Sequence, residues 1–349
     1  MKNLVFKLLL TFASFSIIAC SSTNRLTMGI TQPAQVSISS DVSSIGIINR
    51  STASEKNKVV DKIDKVLSLE GLNLDKEGAQ NAILGLSYEL ERGNRFESVK
   101  IIEGQKDFEK GLGVFPSALS WEIVDQICQE NGVDVLFSLE FYDTDTAVDY
   151  EIIMVRIPNN LGIVAEVPGH RIKLNTVIKN GWRVYDPANR TIVDEYISND
   201  QIYSKGEGIN PIKAYEAVIG RKEAVLDVST NLGSNYASFT KPERIRIARD
   251  YFVRGSSNFK IAKRRALTGN WDGAAELWNA ELNNPNLKVA GRAYYNMAIS
   301  NEINGNLIKA IEFASKAYAD YGNKEGLRYV NMLKRRVVNQ QELERQLAK

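Results

Sequence analysis

Gly269-Asn270-Trp271-Asp272-Gly273-Ala274-Ala275-Glu276 recurs in outline, 36 residues later, as Gly305-Asn306-Leu307-Ile308-Lys309-Ala310-Ile311-Glu312. Each copy opens on a Gly-Asn pair and continues into small alanines. A tight glycine turn between two helices, with alanines where the helices cross, is how a helical hairpin packs on copies of itself. Phe259, Ala262 and Trp278 around the first copy, and Tyr294, Met297, Ala298, Ala314 and Ala317 around the second, fall at helical spacing. The spacing predicts helical pairs over residues 258–282 and 294–317. Flanking helices from Glu243 to Val253 and from Lys324 to Leu347 are expected to close the stack. Such modules bind partners, so binding is the expected role of this region.

Upstream of about residue 240 the pattern is different. Ile45-Gly46-Ile47-Ile48-Asn49, Val99-Lys100-Ile101-Ile102 and the stretch Val133 to Phe141 read as strands. Between them lie helical patterns carrying Val59, Ile63 and Val66, then Lys76 to Arg92 stopped by Gly93-Asn94, then Ser120 to Asn131 stopped by Gly132. That order implies an α/β domain with a mixed sheet. Beyond Phe141, strands are expected at Tyr150–Ile157, Ile172–Tyr185 and Thr191–Ser198, with Asp143 to Asp149 as a turn and Asp186-Pro187-Ala188-Asn189 as a hairpin link. A helix follows Pro211.

The first 19 residues carry Lys2 and Lys7, then an apolar run from Leu8 to Ala19. A bilayer span needs ~20 apolar residues, so this run reads as a secretory signal. Ile17-Ile18-Ala19-Cys20 resembles the bacterial lipobox. That resemblance implies cleavage before Cys20 and lipid on its sulfur and new amino group. The alternative is a plain signal peptide with an incidental cysteine. Residues 20–43 are polar and hold Pro33, which reads as the lipidated Cys and a flexible tether. The expected organisation is therefore 1–19 signal peptide, 20–43 tether, 44–240 α/β domain and 241–349 helical repeat domain.

The net charge of +2 conceals an asymmetry. Residues 21–240 carry 22 basic and 31 acidic side chains, and residues 241–349 carry 20 and 11. Either the halves attract each other, or each faces a partner of opposite sign, or the bias is solvated surface. Lys260, Lys263, Arg264 and Arg265, with Lys334, Arg335 and Arg336, form the basic clusters and are the expected partner-binding residues. Nucleic acid is not an expected partner for an exported chain.

No catalytic constellation is visible. His170 is the sole histidine, and Cys128 lies inside an expected helix as a small apolar residue. Asp143-Thr144-Asp145-Thr146-Ala147-Val148-Asp149 offers carboxylates, but an EF-hand needs Gly and Glu where Val148 and Met154 stand, so no metal is expected. No cofactor is expected beyond the covalent lipid on Cys20. Asp145-Thr146-Ala147 resembles the acceptor of a bacterial O-glycosylation system, which marks Thr146 as a candidate modification site.

Three wider resemblances follow. The helical pairs resemble tetratricopeptide repeats, with departures in the period of 36 against 34, in Asn301 at a usual Tyr position and in the missing second closing proline. The strand order and Gly181-Trp182-Arg183-Val184-Tyr185-Asp186-Pro187 resemble the sandwich-like N-terminal domains of the TolB and curli-secretion lipoprotein group. Ile45-Gly46-Ile47-Ile48-Asn49-Arg50-Ser51, Arg249-Asp250-Tyr251-Phe252 and Gly269-Asn270-Trp271, with that hairpin, resemble a family of Gram-negative, Bacteroidetes-type lipoproteins with a domain of unknown function. The leading expectation is a lipid-anchored, non-catalytic protein-interaction scaffold on the periplasmic face of the outer membrane. One alternative is a small-ligand-binding protein or enzyme with a site near Asn49, Arg50 and residues 143–149. A second is a structural subunit of an envelope export assembly.

Overall fold

The structure is a computed structural model describing residues 22–51, 62–103, 114–158 and 164–348. From the N-terminus it runs through β1 (Thr23–Gln32), β2 (Ser44–Asn49), α1 (Lys62–Arg92), β3 (Ser98–Ile101), α2 (Trp121–Asn131), β4 (Val135–Pro158), β5 (Val164–Asp186) and β6 (Thr191–Gly208). Then come α3 (Pro211–Glu216), α4 (Arg221–Ser238), β7 (Glu243–Phe252), α5 (Ser257–Leu267), α6 (Trp271–Asn279), α7 (Leu287–Ile303), α8 (Leu307–Ala319) and α9 (Lys324–Leu347). The chain divides into two compact units. Among the described residues, one joins 22–33 to 242–345, and the other is essentially 34–241.

The α/β unit is built on a five-stranded sheet in the order β3-β2-β4-β5-β6. β2 runs parallel to β3 and β4, while β4, β5 and β6 are antiparallel. Alternation along β2 explains its two cores. Ile45 and Ile47 pack with Val135 and Phe137 against α1 and α4, and Ile48 packs with Leu136 against Val124 and Ile127 of α2. Helices α1 and α4 approach until a Cβ on Gly233 would stand 1.9 Å from the Ala82 carbonyl oxygen, so only glycine fits there.

The sheet corrects one expectation. Asp143 to Asp149 is no turn: β4 is continuous to Pro158, with a bulge between Leu139 and Phe141. Asp145, Ala147 and Asp149 alternate outward, while Thr144, Thr146 and Val148 alternate inward. The Thr144 amide donates to Asp75 at 2.8 Å. Aspartates are unfavourable in strands in general, yet here they take only the solvent side of a period-two pattern.

The helical unit corrects two more. The Gly269-Asn270 and Gly305-Asn306 turns join α5 to α6 and α7 to α8, with φ of 81° and 79° at the glycines. The expected helix at 243–253, however, is strand β7, and the expected tether at 20–43 contains strand β1. The two pair antiparallel from Thr23↔Phe252 to Gln32↔Glu243. Leu26 and Met28 on β1, with Tyr251 on β7, face the helices, whereas Arg25, Thr27, Arg244 and Arg246 face outward. Downstream of β1 the tether reading fails again, because Val36 and Ile38 are buried in the α/β core. No helix among the described residues is long and apolar enough to cross a membrane.

Candidate functional site

The ribbon β1–β7 is fastened to the helices by a buried polar cluster. Glu302, in the last turn of α7, is 1% exposed. Arg249, on the inward face of β7, donates from Nε to Glu302 Oε2 at 2.8 Å and from Nη2 to Oε1 at 2.9 Å. This two-pronged geometry is the strong form of an ion pair. Arg336 of α9 donates to Oε1 at 2.6 Å, and the Tyr329 hydroxyl donates to Oε2. Earlier on α7, Asn296 accepts from the Phe252 amide at 2.8 Å and donates to the Phe252 carbonyl at 2.7 Å. A carboxylate and an amide on one helix thus hold a strand at two points.

Tyr251 completes the join, with its ring 5.3 Å from Trp271 and 5.9 Å from Trp278. Beside the cluster a depression of about 490 Å³ opens, bounded by Ser22, Thr23, Asp250, Tyr295, Arg328 and Met332. Burial pushes the Glu302 carboxyl upward, but hydrogen bonds from Arg249 and Tyr329, with the Arg249 charge, hold it below its ordinary value. Burial raises the Tyr329 hydroxyl, and the adjoining carboxylate raises it further.

The α/β unit contains a cluster of the same composition. Glu140, fully buried in β4, accepts from Arg50 Nη1 at 2.5 Å and from the Tyr185 hydroxyl at 3.0 Å, and lies 3.5 Å from Arg183 Nη1. Arg50 also donates to the Ser117 carbonyl at 3.2 Å, and Arg183 is shared with Glu195 at 2.6 Å. Here burial wins, and the Glu140 carboxyl is raised despite both arginines. The Leu119 amide donates to Tyr185 at 3.0 Å, which ties the segment before α2 to the cluster.

The residues singled out in the sequence fall in several places. Cys20 lies outside the described residues. Lys260, Arg264, Lys334 and Arg335 are exposed and Lys263 is half-buried. Arg265 instead donates to the Gly273 carbonyl at 2.6 Å, and Arg336 turns inward to Glu302. The first cluster lies on α5, which packs on α6, and the second on α9, which packs Gly326 on α8. Thr146 sits in β4, not in a loop, with its hydroxyl 3.0 Å from Thr176 and 2.8 Å from Arg221 Nη2. Asn49 accepts from Ser51, and Arg50 is committed to Glu140. His170 pairs across strands with Gly208, far along β5 from the core that holds Cys128, whose thiol burial pushes up to about 11. Among the described residues no His, Cys, Asp and Glu group is arranged to hold a metal.

Sequence reasoning missed both glutamates. Their signal was present, because Glu302 follows Ala298 and Ile299 on the apolar face of α7, and Glu140 stands between Leu139 and Phe141.

The model for the family described as Domain of unknown function (DUF8603) matches residues 42–252, more than half of the chain. The chain belongs to this family. The match ends at the last residue of β7. A second model, Domain of unknown function (DUF6340), matches residues 260–335, within the helical hairpins. No curated protein matches the chain. Among solved structures it is similar to a PelC dodecamer from Paraburkholderia phytofirmans, at 9% identity and a TM-score of 0.28, over 62% of this chain and 98% of that one. It is also similar to a neuraminyllactose-binding hemagglutinin homolog from Helicobacter pylori, at 12% identity and a TM-score of 0.26, over 56% of this chain and 90% of that one.

Proposed function

We propose that this chain is a lipid-anchored cell-envelope protein that acts as a non-catalytic scaffold, binding protein partners through tetratricopeptide-like hairpins. Its place in this reading is the periplasmic face of the outer membrane. The leader and Ile17-Ile18-Ala19-Cys20 support the anchor. The observation that carries the scaffold is the hairpin stack itself, with Lys260 and Arg264 exposed on its first helix and Lys334 and Arg335 exposed on its last. Arg265 and Arg336 leave the partner-binding set in this refined form, because each is used inside the fold.

The test is proximity labelling from the native chain, from a Cys20→Ala chain, and from a Lys260→Glu/Arg264→Glu/Lys334→Glu/Arg335→Glu chain. A defined partner set that shrinks in the charge-reversed chain supports the scaffold. The same set in all three chains sinks both the anchor and the basic surface.

A further inference from the structure

Cys20 and Ser22 are two residues apart, and an extended chain spans at most about 3.6 Å per residue, so their Cα atoms lie within about 7 Å of each other. Ser22 is already part of the fold, since its carbonyl accepts from the Val253 amide at 3.0 Å. The proposed anchor therefore has almost no slack, and the end of the helical unit around Ser22 must lie against the headgroups. That end is formed by several segments held together. The Arg254 carbonyl accepts from Arg292 at 2.7 Å, and Gly255 abuts Val289 in the first turn of α7. Asn323, just before α9, donates to the Gly291 carbonyl at 3.2 Å.

The exposed side chains of this end are basic and aliphatic. Arg254, Lys288 and Lys324 are exposed, and Leu287 and Leu327 stand 64% and 41% exposed. Arg328 borders the same depression as Ser22. The acidic residues nearby are Asp250, Asp320 and Glu325, of which Asp250 pairs with Arg25 and Glu325 with Arg328. Cationic side chains interleaved with protruding leucines match an anionic lipid surface, which attracts juxtamembrane Lys and Arg and takes up exposed apolar side chains.

We infer that Arg254, Lys288 and Lys324, with Leu287 and Leu327, form a membrane-contact face that seats the helical unit directly on anionic lipid headgroups. This deepens the anchored-scaffold reading and rests on its lipid at Cys20, but the face makes a prediction of its own. The clusters at Lys260–Arg264 and Lys334–Arg335 are then left for protein partners.

The test uses the leaderless chain carrying Cys20→Ala, so that no acyl group contributes. Sedimentation with phosphatidylcholine vesicles containing phosphatidylglycerol is compared with sedimentation on phosphatidylcholine alone. The expected result is at least tenfold tighter binding to the anionic vesicles, lost in Arg254→Glu/Lys288→Glu/Lys324→Glu and kept in Lys260→Glu/Arg264→Glu/Lys334→Glu. Both variants change net charge equally, so only the location differs. Unchanged circular dichroism shows that the variants fold, and Lys288→Gln/Lys324→Gln serves as a milder version. Absence of a preference for anionic vesicles, or equal loss in both variants, overturns the face. An intact mass of the cell-derived chain without acyl groups sinks the anchor, whatever the vesicles show.

Discussion

Glu140 in the α/β unit and Glu302 in the helical unit are both buried, and each faces two arginines and a tyrosine, yet their carboxyl groups shift in opposite directions. The difference lies in how the partners are used. Glu302 receives both prongs of Arg249, a third donor from Arg336 and the Tyr329 hydroxyl. Glu140 receives Arg50 and the Tyr185 hydroxyl, while its second arginine stands at 3.5 Å and is shared with Glu195. Both clusters hold the same charges, but Arg336 donates directly to Glu302, whereas Arg183 makes its short bond to Glu195. Burial alone penalises a carboxylate, and only enough direct donors reverse the sign.

The largest loss is expected for Glu302→Gln. Removing one partner of a well-bonded buried ion pair typically costs about 3–5 kcal/mol, so unfolding of the helical unit in denaturant should shift by an amount in that range. A loss below that of Glu140→Gln would contradict the ranking. Next is Leu26→Ala. Leu26 lies on the inward face of β1, and truncating a buried leucine costs about 2–5 kcal/mol. A residue on a mobile tether would cost nothing. Asn296→Ala comes third, because it leaves the half-buried Phe252 amide and carbonyl without that partner, at about 1–3 kcal/mol in all. Glu140→Gln also strands a buried arginine, Arg50, but its loss is expected to stay below that of Glu302→Gln, because burial already disfavours the ionised Glu140 carboxyl.

The pH dependence carries the same contrast. Glu302 has a folded-state value below its unfolded one, so its stabilisation is present above the unfolded carboxylate pKa of about 4.3 and is lost as pH falls through the lower folded value. Glu140 has a folded-state value above its unfolded one, so its ionisation costs stability as pH rises through the raised value, and acidification relieves that cost. Thermal melts across the acid range should therefore show a shallower acid loss in Glu302→Gln than in the native chain. In Glu140→Gln the acid loss should be steeper.

The sequence revealed the parts of the fold that are local. The Gly-Asn turns and their alanines sit within a few residues of the helices they specify, and Gly132 closes α2 from its own C-terminus with φ of 59°. What escaped was non-local. β1 shows only a short alternation of Leu26, Met28 and Ile30 among polar residues, and the strand it pairs with lies about 220 residues further along the chain. β7 alternates Ile245, Ile247, Arg249 and Tyr251 on one side, but a buried arginine interrupts the apolar pattern that would have marked it. Arg249 reads as surface until Glu302 is placed opposite. The candidate site was hidden for the same reason, since its four side chains come from β7, α7 and α9.

The measurement that tests the account most directly is hydrogen–deuterium exchange of the Thr23–Gln32 segment in the native chain and in Glu302→Gln. The expected result is slow exchange of the amides that β1 pairs with β7 in the native chain, and faster exchange there once Glu302 is gone. Fast exchange throughout Thr23–Gln32 in the native chain would restore the tether and contradict both the fastened ribbon and the membrane-contact face built on it.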